Sequence, residues 1–261
     1  MDEIEYTREE AIELYESFAD FEKQRNNELT EILKPYIEVT EEYGKLLSRV
    51  SFLTGHISPK DKYERIQRDL FADVFDFLYE TRTLIIKGKY NIAYPLARKA
   101  FESLTLKIAL YFDTKEAEKW DKGIQIQNKD VRNILNSNKD KGGEPLAETR
   151  KMYNFFSNRS HPNGHFLPRR SLGEGNRFVL GGISIPLLVS MFELCININE
   201  LWHWFGAYEF YYNKCYIDKY DLEFKTDYVN TTTKSKELNK WLHENFNKLL
   251  EEYKIMSENE L

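Results

Sequence analysis

Apolar residues recur every three or four positions along most of this chain, the spacing that lines one face of an α-helix. Ile12, Tyr15 and Ala19, then Leu29, Ile32 and Leu33, follow it. Thr7, Arg8, Glu9 and Glu10 precede them as a capping box, in which a hydroxyl and a carboxylate satisfy open amides at a helix start. A first helix is therefore expected from about Arg8. Pro35 ends its pattern, since proline lacks the amide a helix interior needs. A second helix is expected from Tyr36 to Leu53, stopping at Thr54 and Gly55. The polar stretch from Ile57 to Lys62, with Pro59 inside it, sets a boundary between an N-terminal helical hairpin, residues 1–56, and the main body.

In residues 57–217 the helical period continues. Ile66, Leu70, Val74, Phe77, Leu78 and Ile85 predict a helix from Tyr63 to Ile86, with Lys87, Gly88 and Lys89 as its basic stop. The short connection predicts an antiparallel neighbour from Tyr90 to Phe112, whose stripe is Leu96, Phe101, Leu104, Ile108 and Tyr111. Arg98 and Glu102 are spaced to pair on it. Shorter helices are expected over 115–120 and 130–135, a loop over 136–145, and a helix from Leu146 to Asn158 that ends before His161 and Pro162. Gly181, Gly182 and Pro186 mark the entry to a long apolar helix reaching Tyr216. Residues 218–261 form a C-terminal segment, irregular or extended through Thr233 because its residues favour strands, then an amphipathic helix from Ser235 to Met256.

Composition agrees with an all-α fold. The 261 residues are 41% hydrophobic and 15% aromatic, while 12 Gly and 7 Pro are few for a turn-rich β architecture. The longest uncharged run, Phe178 to Phe192, is 15 residues, short of the roughly 20 needed to span a bilayer. Acidic Asp2, Glu3 and Glu5 after Met1 give no secretory start, so a cytoplasmic protein that is not membrane-bound is expected. Cys195 and Cys215 lack the paired spacing of a zinc site and are expected as buried thiols. Gly-rich phosphate loops, Gly-x-Ser-x-Gly elbows and His-Glu-x-x-His helices are absent, and no cofactor or metal is expected.

Charge singles out one region. From Arg150 to Arg177, the residues Arg150, Lys151, Arg159, Arg169, Arg170 and Arg177 stand against Glu174 alone, a balance of +5 in a chain whose total is −6. Within that window, two of the five histidines, His161 and His165, follow Arg159 where an apolar helix breaks. Concentrated positive charge on an acidic protein attracts an anion to one place, and RNA or another phosphate-bearing ligand is the expected one. Arg169, Arg170, Arg150, Lys151, Arg177 and Asn163 are the candidate phosphate-binding residues.

The order of these elements resembles the HEPN superfamily of four-helix domains, over roughly Tyr63 to Tyr216. Tyr94, Pro95, Leu96, Ala97, Arg98 and on to Glu102 look like the second helix of one HEPN-like branch. Ala117 to Trp120 and Ser157 to Pro162 are similar to it as well. The resemblance implies a HEPN-like four-helix bundle core carrying an added N-terminal hairpin and C-terminal helix. Many members are ribonucleases with an arginine, four to six residues, and a histidine; Arg159 and His165 have five between them. It further implies a homodimer with a composite site, a toxin or antiphage role, an antitoxin or other protein partner, and Glu102 as the carboxylate orienting the arginine. Ser160, Pro162 and Gly164 depart from the nuclease pattern, and in the branch that matches best the histidine beside the proline, here His161, is the recurring one.

Such a pair suits metal-independent endoribonuclease chemistry. An RNA 2′-hydroxyl can attack its own phosphate if histidine moves the protons and arginine's donors hold the phosphate oxygens. The catalytic candidates are Arg159 and His165, with His161 assisting and Glu102 orienting. The alternative is a non-catalytic HEPN-like module that binds RNA, a nucleotide or a protein through the basic loop 159–177. In plainer readings His161 caps a helix, Arg98 and Glu102 are an ordinary helix pair, and Trp202, His203, Trp204 and Phe205 are core residues instead of a base-stacking platform.

Overall fold

The computed structural model describes residues 8–160, 171–172, 177–178 and 185–259. The chain is all-α. Helices α1 (Arg8–Ile32), α2 (Lys34–Gly55), α3 (Lys62–Ile86), α4 (Tyr90–Phe112), α5 (Thr114–Asp121), α6 (Asn128–Ser137), α7 (Leu146–Ser160), α8 (Ile185–Tyr212), α9 (Lys214–Tyr220) and α10 (Phe224–Asn259) follow one another. Between α7 and α8, the two-residue strands Ser171–Leu172 and Arg177–Phe178 pair antiparallel, Leu172 opposite Arg177. No helix among the described residues is long and apolar enough to cross a membrane.

Local chemistry accounts for most ends. Asp61 accepts from the Glu64 amide at 2.8 Å and starts α3, while Asp113 accepts from the Lys115 and Glu116 amides and starts α5. Gly88 takes a φ of +65° between α3 and α4, so the chain reverses and the two helices pack along their lengths. α4 also contacts α7 and α8, while α10 runs along α8 and α2. The core between them is heavily aromatic, with Tyr36, Tyr43, Tyr94, Phe101, Phe156, Trp202 and Phe205 fully buried.

Four expectations change. The first two helices do not form a hairpin: only Leu33 separates them, and the Leu33 amide to Leu29 carbonyl and Ile37 amide to Leu33 carbonyl bonds, both 2.9 Å, carry the helical pattern through the break. A helical hairpin needs a loop of about two to five residues, and Pro35 in the first turn of α2 gives only an interruption. α2 also buries Tyr36, Tyr43 and Leu47 in the same core as α4 and α8. Second, residues 224–233 are helical instead of extended, because Phe224 and Tyr228 stack on Phe210 at 6.2 and 4.6 Å and the Asp221 carboxylate accepts from the Phe224 amide. That packing outweighs a weak strand propensity. Third, Cys195 is buried but Cys215 is exposed. Tyr111, placed by its spacing on the apolar face of α4, is 53% exposed.

Candidate functional site

α7 positions the arginine. Phe156 is buried against Phe101 of α4 at 5.9 Å between ring centroids, which fixes the helix's rotation and sets Arg159 toward α8. There Glu193 meets it in a two-point ion pair. Nε donates to Oε2 at 3.1 Å and Nη2 to Oε1 at 2.5 Å. The guanidinium carbon lies 4.0 Å from the centre of the Phe155 ring, so the group is held from the side by a carboxylate and from beneath by an aromatic face. The arginine side chain is 16% exposed and that of Glu193 is 28%. Tyr94 completes this corner by donating to the Ser190 carbonyl at 3.1 Å. Burial pushes its hydroxyl above the usual tyrosine range, Glu193 adds to the shift, and Arg159 opposes it.

Glu102 holds a different arginine from the one the resemblance assigned it. Its Oε1 accepts from Arg98 Nε at 2.9 Å and from Asn128 Nδ2 at 3.0 Å, and Arg98 Nη2 reaches the Tyr153 hydroxyl at 3.3 Å. Arg132 stands 4.5 Å from the same tyrosine ring. Glu102 thus ties α4 to α6, Arg98 ties it to α7, and Glu193 takes the place beside Arg159. The reason is geometric: Arg98 lies one turn before Glu102 on the same helix face and engages it locally.

Arg150 and Lys151 are both exposed on α7. At 3.6 residues per turn, Arg150 lies about 180° around the helix from Arg159, whereas Lys151 and Phe155 lead toward it along one side. Only Lys151 of the two therefore shares the arginine's side of α7. Leu172 and Arg177 pair through their backbones in the short ladder that follows. His161, Asn163, His165, Arg169 and Arg170 lie outside the described residues.

Glu193 was not singled out by the sequence, although a signal existed: it is the first charge after the 15-residue uncharged run, and an acid ending such a run calls for a buried cation. The Trp202 to Phe205 cluster divides. Trp202 and Phe205 are fully buried, His203 Nδ1 pairs with the Tyr43 hydroxyl at 3.0 Å, and Trp204 lines a cavity. Among the described residues no group of three or more His, Cys, Asp or Glu is arranged to hold a metal ion. The chain matches no protein-family model, no curated protein and no solved structure.

Proposed function

We propose that the chain is a metal-independent endoribonuclease, of the kind toxin and antiphage systems use, acting through Arg159, at the C-terminal end of α7, together with His165. One observation carries this reading: the Arg159 guanidinium is fixed in direction by Glu193 and Phe155 immediately before the His161 to His165 stretch. A pre-oriented arginine meets developing charge on a phosphate without reorganising, which is where most electrostatic catalysis comes from. The resemblance to HEPN ribonucleases supplies the rest, including a second copy of the site across a homodimer.

The chemistry follows from the groups. A histidine takes the proton of the RNA 2′-hydroxyl as O2′ bonds to phosphorus, the bond from phosphorus to O5′ breaks, and a second group returns a proton to O5′. His165 is assigned the first transfer and His161 assists. Arg159 steadies the negative charge on the phosphate oxygens. The products are a 2′,3′-cyclic phosphate and a 5′-hydroxyl.

A specific observation favours a second reading. Glu193 uses two of the five N–H donors of a guanidinium and neutralises its charge, which weakens the pull on a phosphate. A non-catalytic module binding RNA or a protein through residues 159–177 would tolerate that. Incubation of mixed single-stranded and structured RNA in EDTA with wild type, Arg159→Ala, His165→Ala and His161→Ala separates the two. The nuclease reading expects cleavage by wild type and a loss of about 100-fold or more in Arg159→Ala and His165→Ala, the size of a missing acid, base or charge stabiliser. RNA binding without cleavage by folded wild type would replace it with the module.

A further inference from the structure

At the other end of α7 from Arg159, some 20 Å away along a helix rising about 1.5 Å per residue, lies a cavity of about 470 Å³. Its size falls within the usual range of about 300–1,000 Å³ for small-molecule sites. α8 forms one side. Tyr208 and Tyr212 lie nearly parallel, 5.7 Å apart at 11°, and Tyr111 from α4 stands perpendicular to both at 6.2 and 5.6 Å. Trp204 extends this wall one turn along α8. Two of the tyrosines are unusually open, Tyr111 at 53% and Tyr211 at 72% exposed. Soluble proteins seldom gather large aromatic rings at an open cavity without a use for them.

Polar chemistry also lines the cavity. The loop between α6 and α7 brings Lys141 to the exposed rim and sets Glu144 deeper, half-buried. This loop is preformed. Gly142 takes a φ of +97°, the Gly143 amide donates to the Asn138 carbonyl at 2.9 Å, and the Leu146 amide donates to the Asn136 side chain at 3.0 Å. Gly143 approaches the end of α6 so closely that a Cβ there would sit 2.2 Å from the Leu135 carbonyl oxygen. Burial, with Glu148 adding to it, pushes the Glu144 carboxyl above the usual range, so a group that donates hydrogen bonds to it would relieve a real cost.

We infer that this cavity binds a nucleobase, stacked on the Tyr111, Tyr208 and Tyr212 wall, with its N–H edge on Glu144 and a phosphate directed to Lys141 at the rim. The wall provides flat aromatic faces and edges, which every base can stack on. The carboxylate accepts two N–H donors side by side, which favours guanine, whose ring N–H and amino group lie adjacent, over pyrimidines with a single donor. The rim lysine matches a phosphate as a point charge. The base can come from a free nucleotide or from an unstacked residue of an RNA strand. The inference stands apart from the ribonuclease reading, because it uses neither Arg159 nor a histidine and its test measures binding alone.

Calorimetric titration of the full chain with GMP, AMP, CMP and UMP, and with a guanine-containing RNA hexamer, tests it. GMP is expected to bind saturably and more tightly than CMP or UMP. Tyr111→Ala and Tyr212→Ala, both in that wall, are expected to weaken binding about fivefold or more, the usual loss for a removed stacking partner. Glu144→Gln is expected to remove the preference for GMP while leaving the fold intact by circular dichroism. Binding of the hexamer but of no mononucleotide, lost in the same tyrosine variants, would assign the base to an RNA strand. No saturable binding of any of these probes to folded protein, or binding untouched by both tyrosine variants, would overturn the inference.

Discussion

Lys107 and Glu209 face each other in the core at 3.2 Å, with 1% and 2% of their side chains exposed. The ammonium also donates to the Gln67 carbonyl and lies 5.4 and 5.5 Å from the Tyr208 and Tyr212 rings. Asn213 donates to the other carboxylate oxygen at 2.8 Å. Burial lowers the Lys107 pKa and raises that of Glu209, and each partner opposes the shift of the other. The pair is thus a desolvated charge couple joining α4 to α8 beneath the aromatic wall.

Removing one partner strands the other. Lys107→Met alone is expected to cost about 3–5 kcal/mol, the usual penalty for an uncompensated buried charge, while Lys107→Met with Glu209→Leu is expected to recover most of it. Urea unfolding of the three variants checks this. Single-variant losses under about 1 kcal/mol would mean that the pair is neutral or hydrated in the folded protein.

His203 sets a dependence on pH. Burial lowers its pKa from the ordinary 6.5, with Lys236 adding to the effect. Its Nδ1 lies 3.0 Å from the Tyr43 hydroxyl, which burial pushes up to about 12, so the folded state disfavours the charged imidazolium. Between its folded pKa and 6.5 the unfolded chain binds the extra proton, so stability falls as pH drops below 6.5. The urea midpoint of wild type is expected to decline from pH 7 to pH 5, and His203→Gln to flatten that decline. An identical decline in the variant would assign it to other groups.

Gly143 tests how firmly the α6–α7 loop is built. The 2.2 Å approach to the Leu135 carbonyl leaves no room for a methyl group, and backbone cannot yield as a flexible side chain can. Gly143→Ala is expected to destabilise the chain by about 1–3 kcal/mol, typical of overpacking. Gly123→Ala, with nothing within 4 Å of the added carbon but a φ of +76°, separates backbone strain from collision in the same thermal melts.

Most of the architecture was legible in the order of residues, because helical periodicity and chain-stopping chemistry are local. Asp61, Gly88 and Asp113 act within a few residues of themselves, and the helices they bound fall within one or two residues of expectation. Phe224 to Thr233 was not legible, since its helix is set by stacking on Phe210, 14 residues away in sequence, and on a packed core. The α1 to α2 break misled for a related reason: proline marks an interruption, but its angle depends on what α2 packs against.

At the candidate site, Arg159 was legible from charge and from the helix end. Its partner was not, because Glu193 is 34 residues away and meets it only once α7 and α8 are packed. Glu102 misled because the same carboxylate has an arginine one turn away on its own helix. The aromatic cavity was half legible: Trp204 stood out in sequence, but the division between buried Trp202 and cavity-lining Trp204 needs the rotation of α8 about its axis.

The most direct test of the central proposal is the identity of the ends left on RNA by wild type in EDTA, set beside those left by His165→Ala. Wild type is expected to leave 2′,3′-cyclic phosphate and 5′-hydroxyl ends, with near-complete loss of both in the variant. Intact RNA after incubation with folded wild type, or fragments bearing 3′-hydroxyl and 5′-phosphate ends, would contradict it.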